Sequence, residues 1–147
     1  MFIVLPLLVL DITWWQFLIG FLVLHIAEGL TMGLIFQLAH VVEGTNFPVP
    51  THMGQIQEAW AEHQMRTTAN FATHNKLAAF FLGGLNRQIE HHLFPKVCHI
   101  RYGEISLIVK RTALEFNLPY IENRTFFAAL RSHYVRLRRF GKEAARI

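Results

Sequence analysis

Phe17-Leu18-Ile19-Gly20-Phe21-Leu22-Val23-Leu24-His25-Ile26-Ala27-Glu28-Gly29-Leu30-Thr31-Met32-Gly33-Leu34-Ile35-Phe36 is a run of twenty residues in which only His25, Glu28 and Thr31 interrupt the apolar character. A helix rises about 1.5 Å per residue, so the run reaches about 30 Å, the thickness of a bilayer's hydrocarbon core. Trp14-Trp15 precede it, where an interfacial aromatic belt would stand. Further upstream, Asp11-Ile12-Thr13 is a polar break with N-capping character. Residues 1–10 are apolar, contain Pro6, and supply about half the length needed to span. The pattern predicts a membrane hairpin: the end of one spanning helix in 1–10, a tight turn, and one complete spanning helix over 14–39. No basic n-region or small-residue cleavage site accompanies the first apolar run, which argues against a signal peptide. A run that is apolar from Met1 onward reads as a chain cut inside a membrane helix.

Charge is divided as sharply as hydropathy. Residues 1–65 hold no Lys or Arg and five acids, whereas residues 66–147 hold all fourteen basic residues and five acids, a formal +9. An apolar half followed by a basic half predicts a membrane anchor and a region lying against anionic headgroups on the cytoplasmic side. Nucleic-acid binding, the other common use of such charge, leaves the lipid-soluble half without a role. The single Cys98 excludes an internal disulfide framework.

Beyond the anchor, Gly44-Thr45-Asn46-Phe47-Pro48-Val49-Pro50 is a loop by its turn chemistry. Helices are expected over 54–69, 103–117 and 124–139, together with a short one from Asn86, as cap, to Phe94, stopped by Pro95. In the last long helix Phe127, Leu130, Tyr134 and Leu137 share a face, with Arg131, Arg138 and Arg139 elsewhere around it. Leu77–Leu85 is apolar but too short to span and ends at Gly83-Gly84, which suits an interfacial or buried piece. The expected fold is all-α. Residues 1–43 form an integral membrane helical hairpin, and 44–147 a cytosolic and interfacial helical region.

Gln88-Ile89-Glu90-His91-His92 is the sharpest chemical signal. Positions i, i+3 and i+4 of a helix face one way, so Gln88, His91 and His92 project together, and imidazole is a good ligand for iron, copper and zinc. His25, Glu28, Met32, Phe36 and His40 step by three or four along one face of the spanning helix. Ionisable groups at that depth are costly and are functional candidates. His25 and Glu28 suit a mutual pair. His40, at the boundary, suits a metal ligand.

The stretch Gly83-Gly84-Leu85-Asn86-Arg87-Gln88-Ile89-Glu90-His91-His92-Leu93-Phe94-Pro95 resembles the third histidine box of membrane fatty acid desaturases. Gln in the place of the box's first His resembles the front-end subgroup, which includes Δ5 and Δ6 acyl desaturases. Phe36–Glu43 is similar to the end of the family's last spanning helix. Gln64–Phe71 and His99–Tyr102 are similar to its flanking segments. The resemblance implies two non-haem iron ions held mainly by histidines, with Gln88, His91, His92 and His40 among the ligands and Asn70 as a water-mediated ligand. His74 is expected to be exposed. The implied reaction uses O2 to place a cis double bond in a fatty-acyl substrate. Electrons would come from an electron-transfer protein, a cytochrome b5 or a ferredoxin. Arg131, Arg136, Arg138, Arg139 and Lys142 could dock such an acidic partner or attract anionic membrane lipid.

The family's first two boxes, His-x3–4-His and His-x2–3-His-His, are absent from all 147 residues. The resemblance therefore implies a C-terminal part that is inactive in isolation. The alternatives are a hydroxylase on the same di-iron scaffold and a non-catalytic membrane fragment.

Overall fold

The computed structural model describes residues 3–146, which divide into two compact units, one ending at Leu34 and one beginning at Ile35. The first unit holds α1 (Val4–Val9) and most of α2 (Trp14–His40). At six residues α1 is only about 9 Å long. Among the described residues one helix, α2, is long and apolar enough to cross a membrane. Its start is capped as the polar break suggested. The Thr13 N–H donates to Gln16 Oε1 at 2.9 Å, and the Thr13 hydroxyl donates to the same oxygen at 2.7 Å. This is half of a capping box, with Gln in the third helical position reaching back. His25 and Glu28 form the expected pair, 3.3 Å apart.

The second unit starts with the last turn of α2, where Ile35, Leu38 and Ala39 are buried. There follow α3 (Trp60–Thr67), β1 (Ala69–Phe71), α4 (Lys76–Phe81), α5 (Gln88–Leu93), a 3₁₀ turn (His99–Arg101), α6 (Tyr102–Glu115), β2 (Ile121–Asn123) and α7 (Phe126–Ala144). Met65, Ile89, Val109 and Ala113 form a buried cluster, with Leu93, Ile105, Leu118 and Tyr120 packed against it. One residue each from α3 and α5 meets two from α6, so the short α5 is held by its neighbours rather than by its own six residues. A helix of that length is not stable alone.

The all-α expectation needs correction. β1 and β2 pair in parallel, with Ala69 opposite Ile121, Asn70 opposite Glu122 and Phe71 opposite Asn123. The helix expected over 54–69 ends at Thr67, and residues 69–71 are extended and wholly buried. That helix, α3, also starts late, at Trp60 rather than residue 54. Glu58 lies just before it and pairs with His63 and Arg66, an arrangement that holds the entry to the helix. Asn86 does not cap α5: its amide donates to the Ala72 carbonyl at 3.2 Å, and Arg87 takes the cap position. Gly84 is indispensable to the turn before α5. Its φ is +78°, and a Cβ there would sit 2.5 Å from that of His99.

Candidate metal centre

Three imidazoles converge in the second unit. His40 comes from the end of α2, and His91 and His92 come from α5. The rings of His40 and His92 are 5.0 Å apart at 69°, and those of His91 and His92 are 5.8 Å apart at 87°. The ring of His40 therefore lies on the same side of the fold as the pair, although about fifty residues separate them in the chain.

Each ring is anchored through Nδ1. His40 Nδ1–H donates to the Thr67 carbonyl (3.2 Å) and His92 Nδ1–H to Gln64 Oε1 (2.8 Å), while His91 Nδ1 meets the Tyr102 hydroxyl at 3.2 Å. A carbonyl or amide oxygen can only accept, so His40 and His92 carry a proton on Nδ1, the tautomer in which a neutral ring keeps its Nε2 lone pair for another partner. The pKa of His92 is pushed down to about 4, first by burial and then by the neighbouring His40 and His91. At neutral pH its ring is therefore uncharged. Gln88, on the same helix, is fully buried, and neither its amide oxygen nor its amide nitrogen has a hydrogen-bond partner among the described residues. An orphaned buried amide is costly and calls for a partner.

Behind the rings lies a closed polar ring that the sequence did not reveal. Asn70 and Glu90 are both 0% exposed. The Asn70 amide donates to Glu90 Oε2 and to the Tyr120 hydroxyl, and Tyr120 donates to Glu90 Oε1, each at 2.7 Å. Asn70 Oδ1 accepts from the Ile89 N–H at 2.9 Å, tying β1 directly to α5. Burial, then the Glu90 carboxylate, raises the Tyr120 pKa, so the phenol stays protonated and remains a donor. Asn70, expected as a water-mediated ligand, has both amide hydrogens and one lone pair committed to this bracket. His74 is exposed, as expected.

Among the described residues no three His, Cys, Asp or Glu side chains enclose a single ion. The rings of His40, His91 and His92 stand together, and Gln88 is on the helix that carries two of them. Sequence reasoning missed Gln64, Thr67, Tyr102, Glu90 and Tyr120. Gln64, Thr67, Glu90 and Tyr102 lie in the segments that resemble the family, which is their only signal, and Tyr120 has none.

Next to the bracket, Glu122 takes hydrogen bonds from Thr73 and, at 2.6 Å, from Lys110. Burial alone would raise the pKa of Glu122, but these two partners outweigh it and hold it below the usual value. A carboxylate whose folded pKa is depressed adds stability above its unfolded pKa, and that stability is lost as pH falls through the folded value. The melting temperature of the metal-free protein should therefore drop as pH is lowered below about 4.5. Glu122→Gln should flatten that part of the profile, and an unchanged slope would mean the pair contributes nothing.

A sequence profile of the fatty acid desaturase family matches residues 1–124. The chain is 45% identical over 128 residues to an sn-1 linoleoyl-lipid 6-desaturase of Synechocystis sp., an alignment covering 86% of this chain and 36% of that protein. It is 43% identical over 125 residues to an acyl-lipid (8-3)-desaturase of Physcomitrium patens, covering 82% and 26%. A further sn-1 linoleoyl-lipid 6-desaturase, from Arthrospira platensis, is 38% identical over 123 residues, covering 84% and 33%. The chain thus spans about a quarter to a third of the length of these relatives. No solved structure matches it.

Proposed function

Since this chain belongs to the fatty acid desaturase family, we propose that it carries the third-box part of a membrane-bound, iron- and O2-dependent acyl-lipid desaturase of the front-end type. The observation that carries the reading is the set of three Nδ1-anchored imidazoles, two of them on the helix of Gln88, whose buried amide has no hydrogen-bond partner among the described residues. Metal-bound histidines characteristically donate their second ring N–H to an oxygen, which fixes tautomer and orientation. Thr67 and Gln64 do this for His40 and His92. The residues fit such a centre as part of its shell: Nε2 of His40, His91 and His92, with the Gln88 amide, would hold iron. Bound there, the di-iron centre would supply the oxidising power to remove two hydrogens from an acyl methylene pair.

Four donors are too few for two ions, so the remaining ligands come from polypeptide outside these 147 residues, and the chain alone is inactive. The front-end assignment draws on Gln88 and on relatives named as 6- and (8-3)-desaturases. An apolar cleft of about 300 Å³ is lined by Trp60, Met65, Leu93, Phe94, Val109 and Leu118. It begins immediately after His92 and suits a fatty-acyl chain. The electron donor is a small acidic carrier of the cytochrome b5 or ferredoxin kind.

We place α2 across the bilayer and the second unit on the cytoplasmic side. The chain should then stay in the membrane pellet through high salt and alkaline carbonate and leave it only with detergent. Recovery in the carbonate supernatant would remove the spanning helix from the account. For the reaction, the expected result in the complete enzyme is non-haem iron near two per chain and an unsaturated acyl product. A haem absorption band would overturn the metal assignment, and a hydroxylated product would move the enzyme to the related hydroxylases.

A further inference from the structure

The long C-terminal helix carries an apolar stripe that nothing among the described residues covers. On α7, Phe127, Leu130, Tyr134 and Leu137 step by three or four and occupy roughly 80° of arc. Phe127 is 79% exposed and Tyr134 64%. This is a different face from the one that packs. Ala129 and Ser132 are buried, His133 donates to the Val41 carbonyl, and Arg136 donates to the Thr45 carbonyl while stacking on Phe47 and Phe140. Arg139 pairs with Glu43. The cations on α7 without an ion-pair partner among the described residues are Arg131, Arg138 and Lys142, all exposed, forming a row along the far side of the stripe from the packed face.

Where α7 is anchored says what the stripe meets. Its partners are Val41, Glu43, Thr45 and Phe47, the residues that leave α2 immediately after His40. Counting about twenty residues of hydrocarbon depth from the Trp14-Trp15 belt puts that turn at the headgroup level. An apolar stripe bordered by cations and fixed at headgroup depth has the pattern of an in-plane interfacial helix. We propose that α7 lies in the surface of the bilayer that α2 crosses. Phe127, Leu130, Tyr134 and Leu137 dip among the acyl chains, and Arg131, Arg138 and Lys142 sit on anionic headgroups. A soluble acidic partner would answer the cations but would leave the stripe in water.

The inference rests on α2 spanning, and the test separates the two. The 147-residue chain carrying Cys98→Ser is given one cysteine at a time, Phe127→Cys, Tyr134→Cys or Val23→Cys. Each is labelled with a fluorophore and reconstituted in vesicles of phosphatidylcholine with or without phosphatidylglycerol. Nitroxide lipids should quench the labels at 127 and 134, and do so more strongly when phosphatidylglycerol is present. Iodide should quench them weakly. Arg131→Gln/Arg138→Gln/Lys142→Gln should abolish the gain from phosphatidylglycerol, an effect of roughly fivefold in surface partitioning per basic residue. Quenching by iodide alone, shielding from both quenchers by covering protein, or protection only on adding an acidic electron carrier would each overturn the proposal. A gain that survives the triple substitution would do the same. The Val23 label reports the spanning helix: if nitroxide lipids fail to quench it, the spanning reading falls and the inference with it. If they quench it but not positions 127 and 134, only the inference falls.

Discussion

In the complete enzyme, His91→Ala and His92→Ala should each reduce desaturation to background while leaving the amount of membrane-bound protein close to wild type. Both rings are only partly buried and lie outside the Met65–Ile89–Val109–Ala113 cluster, so removing either takes away a donor without opening the core. Iron content should fall together with activity. The anchors should give a graded contrast. Gln64→Ala frees the His92 ring without removing it, and losses of this kind run to about ten- to a hundredfold in metal affinity. Gln88→His puts an imidazole where the wider family has one and should be milder than either alanine. Iron analysis and product chromatography on the same preparations check all four. Full iron and activity in His91→Ala or His92→Ala would return the pair to a structural role.

The second large effect is on stability. Asn70→Ala strips the fully buried Glu90 carboxylate of one donor, the fully buried Ile89 N–H of its acceptor and the partly buried Tyr120 hydroxyl of its neighbour. Leaving such groups unsatisfied costs about 1–3 kcal/mol apiece before relaxation, and a loss of about 2–4 kcal/mol is expected for the variant. Tyr120→Phe removes one hydroxyl from the ring and should cost less, about 1–2 kcal/mol. Thermal unfolding of the metal-free chain in detergent measures both. If Asn70→Ala melted with wild type, the closed ring would not be holding α5.

What could be read from the residues was what local chemistry dictates. The long apolar helix shows in its twenty apolar residues and in the polar break with N-capping character at Asp11-Ile12-Thr13. The pairing of His91 with His92 shows in their adjacency on a short helix. His40 stood out because an imidazole at the end of an apolar helix is costly without a purpose. Other features depend on partners far along the chain. β1 is three residues long, and nothing in Ala69-Asn70-Phe71 announces a strand until Ile121-Glu122-Asn123 lies beside it. Glu90 looked like a charged member of the box, yet it is buried because Asn70 and Tyr120, 20 and 30 residues away, supply its donors. Asn86 was a reasonable helix cap by type, but Ala72 offered its carbonyl first. The apolar 77–85 segment had two readings, and exposed Leu77, Phe80 and Phe81 exclude the buried one within the described residues.

The parallel pairing of β1 with β2 also has a consequence for biosynthesis. The ribosome delivers His91 and His92 before it delivers Tyr120, and at about 5–20 residues per second the interval is roughly one to six seconds. During that time α5 has Asn70 but lacks the phenol that completes its bracket. The box helix therefore reaches its final orientation only after most of this segment has been translated. A nascent chain arrested before Tyr120 would expose an unbracketed histidine pair to whatever metal the cell offers.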